Sequence, residues 1–513
     1  MSRHPNPRTG VLAEAILDAC TTYRDRPAIG TPHRAPVTYG DVGGRIEGTA
    51  EALRDNGFGP GHRMLFSIRP APDSMIFLAA ALAAGGSIVF ADPGMSRALF
   101  DARVRVVAPT HAAVESLIYS AGARGPIGAL ARRRGLTLPR LADLDVVHIR
   151  SGPWLPGVPR AASSTRRLRR RPAPIPRMAS IPDEALIVFT SGTTAQPRGV
   201  VHTHDSLLAG FRSATAALRI DPDAVVLTDQ AMIGLPVLLS GARWILPRLG
   251  LATHAGPARM TRILGSDTEI THTFVVPGEL PEVLDRLDGP PKGLSAIVCG
   301  GAPVTPGLAR MVAQRLPDVD LYAIYGMTER VPIAVATGAE KLVWTGPGDP
   351  LGTVVDGVRT RLDDGELVIS GHGLCAGYLS PVDGTLTAVD EIATGDLATE
   401  VDGRLALIGR TKDMIIRGTV NIYPALYEPA ISAISGVREC AIVGIGGDDV
   451  GDPTVVLALV VDEPSAEDRV RRHLDDLIDR GSQPDRIVVV DEIPRAGRLR
   501  KPDRRALAAQ LRG

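Results

Sequence analysis

The sequence predicts a mixed α/β fold divided into at least two domains, and three observations carry that prediction. Short apolar runs alternate with helical patterns along most of the chain, as at Arg63–Ile68, Ala224–Leu227, Trp244–Leu246, Thr273–Val276 and Ala296–Cys299, which suits buried strands in α/β layers. The chain has 513 residues, more than one core usually accommodates, and 44% of them are hydrophobic, enough to fill several. From about Gly409-Arg410 to Gly513 runs a segment with strand and helix signals of its own and the size of a small domain.

Taken in order, the first element is an amphipathic helix at Val11–Cys20. Arg3 and Arg8 precede it, but Glu14 and Asp18 break the apolar stretch, which argues against a signal peptide. Met75–Ala91 is uncharged and apolar, yet Gly85-Gly86 splits it and Asp92-Pro93 closes it, so a short helix followed by a strand is expected rather than a membrane span. Residues 151–180 are rich in Pro, Ser and Arg without periodicity and read as a flexible basic linker within the large domain. Its RRLRRRP core would suit an acidic partner such as an acyl carrier protein, although a solvated run that keeps the chain soluble is the plainer reading. No internal repeat is evident.

Composition excludes several classes. Lys+Arg and Asp+Glu are both 57, so no whole-protein field recruits nucleic acid or an acidic membrane, and no nucleic-acid motif accompanies the basic run. Cys20, Cys299, Cys375 and Cys440 lie far apart with no CxxC pair, which favours a reducing, cytoplasmic setting over a disulfide framework or structural zinc. His202 and His204 stand two apart, on one face if the segment is a strand, but lack further ligands for a metal and read as packing or capping residues.

The most informative stretch is LIVFTSGTTAQPRGVVHTH, Leu186–His204. An apolar strand feeds a loop in which Thr190, Ser191, Gly192, Thr193 and Thr194 offer hydroxyls and backbone N–H groups, and Arg198 supplies a fixed positive charge. This is a cradle for phosphates, yet it has neither the GxxxxGK[ST] of a Walker loop nor GxGxxG. Downstream, YGMTER follows the strand-like Asp320–Ile324 and groups Tyr325, Gly326, Thr328 and Glu329: a ring for a base, a hydroxyl for a phosphate oxygen and a carboxylate for Mg²⁺. As an isolated hexapeptide it would equally be a strand-to-helix turn capped by Thr328. Between the two lies Cys299-Gly300-Gly301-Ala302-Pro303, where paired glycines let a ligand approach backbone; further on come Gly365-Glu366-Leu367, Gly377-Tyr378, and Ala393-Thr394-Gly395-Asp396-Leu397 with Arg410.

Together these ordered motifs resemble the adenylate-forming superfamily of acyl-CoA synthetases, nonribosomal peptide adenylation domains and luciferases, and most resemble an acyl-CoA synthetase. Ala195 replaces the usual second loop glycine and Arg198 the usual lysine. The resemblance implies a large N-terminal domain of layered α/β subdomains, residues 1–409, and a small mobile α+β C-terminal domain, residues 410–513, with Lys412 at the hinge. It assigns Tyr325 to adenine, Thr328 to the α-phosphate region, Glu329 to Mg²⁺, Gly300–Pro303 to the adenine and acyl-tunnel turn, and Asp396 with Arg410 to the ribose. ATP and Mg²⁺ are the implied cofactors, and CoA or a carrier phosphopantetheine the implied acyl acceptor.

Family members that form acyl-adenylates use a lysine near the end, in a pattern like PxTxSGK. Here the text is IPRAGRLRKPDRRAL: aligned on the glycine the position is Arg498, and aligned on DRRAL it is Lys501. The chain has only four lysines, Lys292, Lys341, Lys412 and Lys501, so one at the tail favours Lys501. The substrate region departs from relatives. LTDQAMIGLPVLLSGARW, from Leu227 to Trp244, lacks their histidine and aromatic residue, and Pro424-Ala425-Leu426-Tyr427-Glu428 replaces one carboxylate of PxEIE with leucine. Asp229 lies near the place where amino-acid-activating domains keep an acid, but an acyl acid is the favoured substrate. The expected activity is activation of a small carboxylic acid to acyl-AMP and transfer to a thiol. Two alternatives are adenylation of a β-hydroxy acid with closure of a β-lactone, and a degenerate member that binds nucleotide or acyl group without turnover.

Overall fold

A computed structural model describes residues 12–90, 97–133, 138–168, 184–189, 198–252, 254–410, 413–417, 420–446, 453–478, 482–496 and 500–512. The fold is mixed α/β, as the alternation of patterns predicts. The chain divides into two compact units: residues 1–255 with 328–331 and 372–390, and residues 256–327 with 332–371 and 391–513.

The first unit is organised around a nine-stranded sheet ordered Leu386–Ala388, Gly377–Leu379, Gly199–Thr203, Glu184–Phe189, Ser87–Phe90, Arg63–Ser67, His111–Glu115, Val147–Ser151, Ser163–Ser164. The run from Glu184–Phe189 to Ser163–Ser164 is parallel, whereas Gly199–Thr203, Gly377–Leu379 and Leu386–Ala388 are added antiparallel. Parallel strands are covered on both faces, which is why Met64–Ser67, His111–Val114 and Ala185–Ile187 are buried without alternation. One covering element is Pro72–Ala83, the uncharged segment expected to be a helix; ten of its residues are buried, and Pro72 starts it where no N–H is needed. It ends at Gly85, whose φ of 93° suits glycine, and Gly86, where a Cβ would stand 2.3 Å from the Phe58 ring. The chain then returns as the strand Ser87–Phe90. No helix among the described residues is long and apolar enough to cross a membrane.

The segment expected as a linker, 151–180, departs from that expectation in its first half. Ser163–Ser164 pairs with Val147–Ser151 at the sheet edge, and Val158, Ser164 and Leu168 are buried; residues 169–180 lie outside the described residues. A two-residue edge strand needs few apolar side chains, so composition alone reads it as linker.

The first unit also holds Val225–Leu227, Arg243–Ile245, Pro27–Gly30 and Val37–Thr38 in that lateral order. Thr38 caps the helix Tyr39–Asp55 by accepting from the Asp41 N–H, and the buried Tyr39 hydroxyl donates to the Ala242 carbonyl at 2.7 Å.

His111 lies 3% exposed at the start of its strand, its ring edge-on to Phe58 at 4.9 Å and to His62 at 5.6 Å, with Nδ1 2.9 Å from the Thr110 hydroxyl. Burial, with the neighbouring His62 adding to it, holds its pKa below the usual value, against a smaller upward pull from the Asn56 backbone. A folded-state pKa below the unfolded one means that the unfolded chain binds the proton first, so this stability is present above about pH 6.5 and is lost as pH falls towards the depressed pKa. Melting temperatures measured between about pH 7.5 and pH 5.5 are expected to fall less steeply in His111→Asn than in wild type.

In the second unit, Thr353–Val354, Arg330–Thr337, Asp320–Met327, Ala296–Gly300 and His272–Val275 follow one another in a sheet, the last three parallel. A five-stranded antiparallel sheet, Asp349–Pro350, Arg404–Arg410, Glu391–Val401, Glu366–Gly371, Val358–Asp363, comes next. Beyond residue 410 a three-stranded sheet, Val437–Ile445, Thr454–Val461 and Arg486–Val489, packs with helices Pro424–Ser432, Ser465–Leu477 and Arg504–Gln510. Its two core clusters draw only on residues from Ile415 onward. All four cysteines are buried and unpaired to one another.

Candidate active site

Thr190, Ser191, Gly192, Thr193, Thr194 and Ala195 of the loop expected to hold phosphates, Arg498 and Lys412, expected at a hinge, lie outside the described residues. What frames the loop is described. It joins Glu184–Phe189 to Gly199–Thr203, an antiparallel pair in register from Leu186 opposite His202 to Phe189 opposite Gly199. Arg198 therefore sits at the mouth of a hairpin, exposed, its guanidinium carbon 5.9 Å from the centre of the Tyr378 ring. Tyr378 reaches this place because Gly377–Leu379 pairs with the loop's exit strand, Tyr378 opposite Val200.

The YGMTER segment is not a strand-to-helix turn. Thr328 and Glu329 form the turn between two strands, Asp320–Met327 and Arg330–Thr337. Glu329 is buried, and Tyr378 donates its hydroxyl proton to Oε1 at 3.0 Å. Burial, then the charge of Glu329, push the phenol above its usual pKa, so the hydroxyl is a donor throughout the neutral range. The Cys375 N–H donates to the Glu329 carbonyl. His202 holds the preceding residue: Nε2 stands 2.8 Å from the Thr328 carbonyl, which can only accept, so Nε2 carries the proton and Nδ1 faces the Ser206 hydroxyl at 3.2 Å. Burial keeps the His202 pKa below the usual value in spite of that hydrogen bond, hence the ring is neutral. Arg330 is buried as well, bonded to Ser213 and the Val331 carbonyl, and desolvation pushes its pKa down to about 10.

In the second unit a separate cluster gathers the residues expected for adenosine. Strands Ala296–Gly300 and Asp320–Met327 are parallel with Gly300 opposite Ile324, so the Gly301–Pro303 turn leaves the sheet next to Tyr325 near the carboxyl ends of both strands, where open α/β sheets bind ligands. Gly301 has φ 84° and is exposed; Ala302 is half-buried, and Pro303 and Gly326 are exposed. The Tyr325 hydroxyl donates to Oδ2 of Asp396 at 2.7 Å, joining residues 71 apart in sequence. Asp396 lies on Glu391–Val401 opposite Arg410 of the neighbouring strand. Its approach is set by an irregularity inside that strand, where the register to Glu366–Gly371 shifts: Gly395 has φ 73°, its N–H donates to Oε1 of Glu366, and the Thr394 hydroxyl donates to the Leu367 carbonyl while accepting from the Asp396 N–H.

Lys501 is exposed on the short strand Lys501–Pro502, paired with Arg495–Ala496 so that Ala496 lies opposite Lys501. Asp229, at 8% exposure, is committed internally: Oδ2 accepts from the Ala255 N–H and Oδ1 from the Gln230 side-chain amide. Tyr378 and Glu366 are contributors that residue patterns alone did not single out, and His202, read as a packing or capping residue, is a third whose partner Thr328 was not foreseen. Tyr378 and Glu366 stood inside quoted motifs, but their partners are distant in sequence.

Among the described residues no three His, Cys, Asp or Glu converge as a metal cage. A buried carboxylate such as Glu329, hydrogen-bonded by Tyr378, fits Mg²⁺, which takes one or two carboxylates and completes its shell with substrate phosphates and water.

The AMP-binding enzyme family model matches residues 16–379. A 3-[(3aS,4S,7aS)-7a-methyl-1,5-dioxo-octahydro-1H-inden-4-yl]propanoyl:CoA ligase of Rhodococcus jostii (strain RHA1) is 28% identical over 331 residues, 61% of this chain and 62% of the relative. That match thus covers less than two thirds of the relative's own length. An olefin beta-lactone synthetase of Stenotrophomonas maltophilia (strain K279a) is 25% identical over 480 residues, 85% of this chain and 84% of the relative. The amide bond synthetase McbA from Marinactinospora thermotolerans shares the fold, with a TM-score of 0.75 at 22% identity over 98% of this chain and 99% of that one.

Proposed function

From the premise that the chain belongs to the AMP-binding enzyme family, we propose that it activates a carboxylic acid with ATP and passes the acyl group to a thiol. The observation that carries the reading is the Tyr325–Asp396 hydrogen bond, which couples an aromatic ring to a buried carboxylate at the edge of a parallel sheet. A ring suits adenine and a carboxylate suits the ribose diol.

In this reading the substrate carboxylate attacks the α-phosphorus of ATP, pyrophosphate leaves, and a mixed acyl–AMP anhydride forms. A thiolate of CoA or of a carrier's phosphopantetheine then attacks the acyl carbon, and AMP leaves. Arg198 and the loop Thr190–Thr194 hold phosphate oxygens, Thr328 adds a hydroxyl at the α-phosphate, and Asp396 with Arg410 orients the ribose. Glu329 would hold Mg²⁺, which when bound neutralises charge on the phosphates. Lys501 neutralises the charge that develops between carboxylate and phosphate. The self-contained core of residues 415 onward supports a small C-terminal domain that moves about Lys412 between the two half-reactions.

The acid is an acyl rather than an amino acid. The Asp229 carboxylate already serves Ala255 and Gln230, and Ala231, Met232 and Ile233 at the head of the following helix are apolar and half-buried. A second reading is favoured by the long match to the beta-lactone synthetase: a β-hydroxy acid is adenylated, and its own hydroxyl displaces AMP.

Pyrophosphate release from ATP and Mg²⁺, measured over fatty, β-hydroxy, aryl and amino acids with and without CoA, tests both. Release with one acyl class and a CoA-dependent thioester supports the first. A lactone formed without CoA selects the second. Silence with every acid, in protein that binds ATP, overturns both in favour of a binding protein.

A further inference from the structure

Arg198 and Glu329 carry opposite charges and both approach Tyr378, yet among the described residues no ion pair joins them. Tyr378 lies between: its ring faces the guanidinium at 5.9 Å, and its hydroxyl donates to the carboxylate at 3.0 Å. Three backbone features fix the tyrosine there. Gly377, Tyr378 and Leu379 pair with Val201, Val200 and Gly199, the residues that immediately follow Arg198. The Cys375 N–H holds the Glu329 carbonyl at 2.9 Å, and the Ala376 N–H holds the Val201 carbonyl at 2.8 Å. One short segment, 375–379, thereby grips both the strand that carries Arg198 and the turn that carries Glu329.

We propose that Tyr378 is a positioning residue which keeps Arg198 and Glu329 apart and orients each for Mg²⁺-bound ATP. The proposal rests on the ATP-dependent reading above and adds to it a residue and a role. A neutral hydroxyl occupies one carboxylate oxygen without cancelling the negative charge, so the other oxygen remains available to a cation. It also restricts a side chain with several rotatable bonds, whose ordering would otherwise be a cost of every binding event. The ring gives a planar guanidinium a face to rest on, which a compact ammonium uses less well; the arginine at this position and the tyrosine beneath it form one device. With the ring removed, Arg198 is free to fall onto Glu329, and that ion pair must be broken before a metal–phosphate group can bind.

The test is calorimetric binding of ATP at graded Mg²⁺, together with acid-dependent pyrophosphate release, in wild type, Tyr378→Phe and Tyr378→Leu. Tyr378→Phe keeps the ring and loses one hydrogen bond to a charged group, so the Mg²⁺ concentration for half-maximal ATP binding is expected to rise about tenfold. The KM for the acid is expected to stay unchanged. Tyr378→Leu is expected to raise the Mg²⁺ requirement further, through loss of the ring that separates the charges. A wild-type Mg²⁺ dependence in Tyr378→Phe overturns the proposal, as does a KM for the acid that rises in step with the Mg²⁺ requirement. If Tyr378→Leu does not fold, Tyr378→Phe decides alone. The binding arm needs no turnover, so silence of the wild type towards every acid strikes the ligase reading and leaves Tyr378 to be judged by calorimetry.

Discussion

Lys501→Ala is expected to lower acid-dependent pyrophosphate release about 10²- to 10³-fold, the loss typical of removing one group aimed at charge developing in a transition state. ATP binding is expected to survive, because the charge that Lys501 is proposed to meet develops only as the carboxylate closes on phosphorus. The local backbone supports Lys501 over Arg498. In the pattern PxTxSGK the lysine follows a glycine, and Arg500, directly before Lys501, has φ 46°, the left-handed region that glycine favours. Arg495 stabilises this turn, donating to the Arg500 carbonyl at 3.1 Å and to Oε1 of Glu439 at 2.6 Å. Lys501 therefore stands exposed on a hairpin braced from one side, a suitable mount for a rotatable ammonium. Single-turnover formation of acyl-AMP separates the candidates: a large loss in Lys501→Ala with near-normal Arg498→Ala supports the assignment, and the reverse pattern moves the role to Arg498.

The residue pattern anticipated the local elements well and the long-range partnerships poorly. The uncharged run Met75–Ala91 gave a helix and a strand because Gly85-Gly86 interrupts it where the backbone must turn against Phe58. The strand that feeds the loop at Leu186–His204 followed from its apolar run in the same way, whereas Thr394-Gly395-Asp396 stood out only through the family resemblance. By contrast, His202 and Thr328 are 126 residues apart, and no local periodicity connects them. Spacing suggested that His202 and His204 share one role, but Thr203 caps a helix that begins at His204, so strand geometry ends between them. The role of Glu366 depended on the register of two antiparallel strands, Glu366 opposite Leu397, which an irregularity in the pairing shifts and no local pattern reveals. Residues 163–164 were read by composition as linker, since an edge strand that short leaves no alternation to detect.

Glu428→Leu is expected to cost about 1.5–3 kcal/mol of stability, because it leaves a half-buried arginine without its charged hydrogen-bond partner. Glu428 stands on the helix Pro424–Ser432, where the sequence departs from its relatives by carrying Leu426 beside it. Its Oε1 accepts from Arg504 Nη1 at 2.6 Å and from the Ile442 N–H at 2.7 Å, and its Oε2 accepts from Arg504 Nη2 at 2.7 Å. Arg504 Nη1 also donates to the Ile442 carbonyl. One bidentate pair thus ties two helices to the strand Val437–Ile445, with side chains only 15% and 24% exposed. Burial alone would lower the Arg504 pKa; the charge and hydrogen bonds of Glu428 outweigh it and raise the value above its usual level. The pair is therefore strongly coupled, and its parts are not separately dispensable. Denaturant titration of Glu428→Leu, Arg504→Met and the double variant is expected to give a double loss smaller than the sum of the two single ones, since an apolar pair removes both desolvation costs but leaves the Ile442 N–H and carbonyl without their side-chain partners. Additive losses would mean that the pair is not the brace. The same series reads the site: Arg504 lies three residues beyond Lys501, and the intervening Asp503 both donates to the Pro494 carbonyl at 2.7 Å and caps the helix carrying Arg504. Pyrophosphate release is expected to fall in the single variants and to recover in part in the double one, if the role proposed for Lys501 needs a fixed mount from this pair and not its charge.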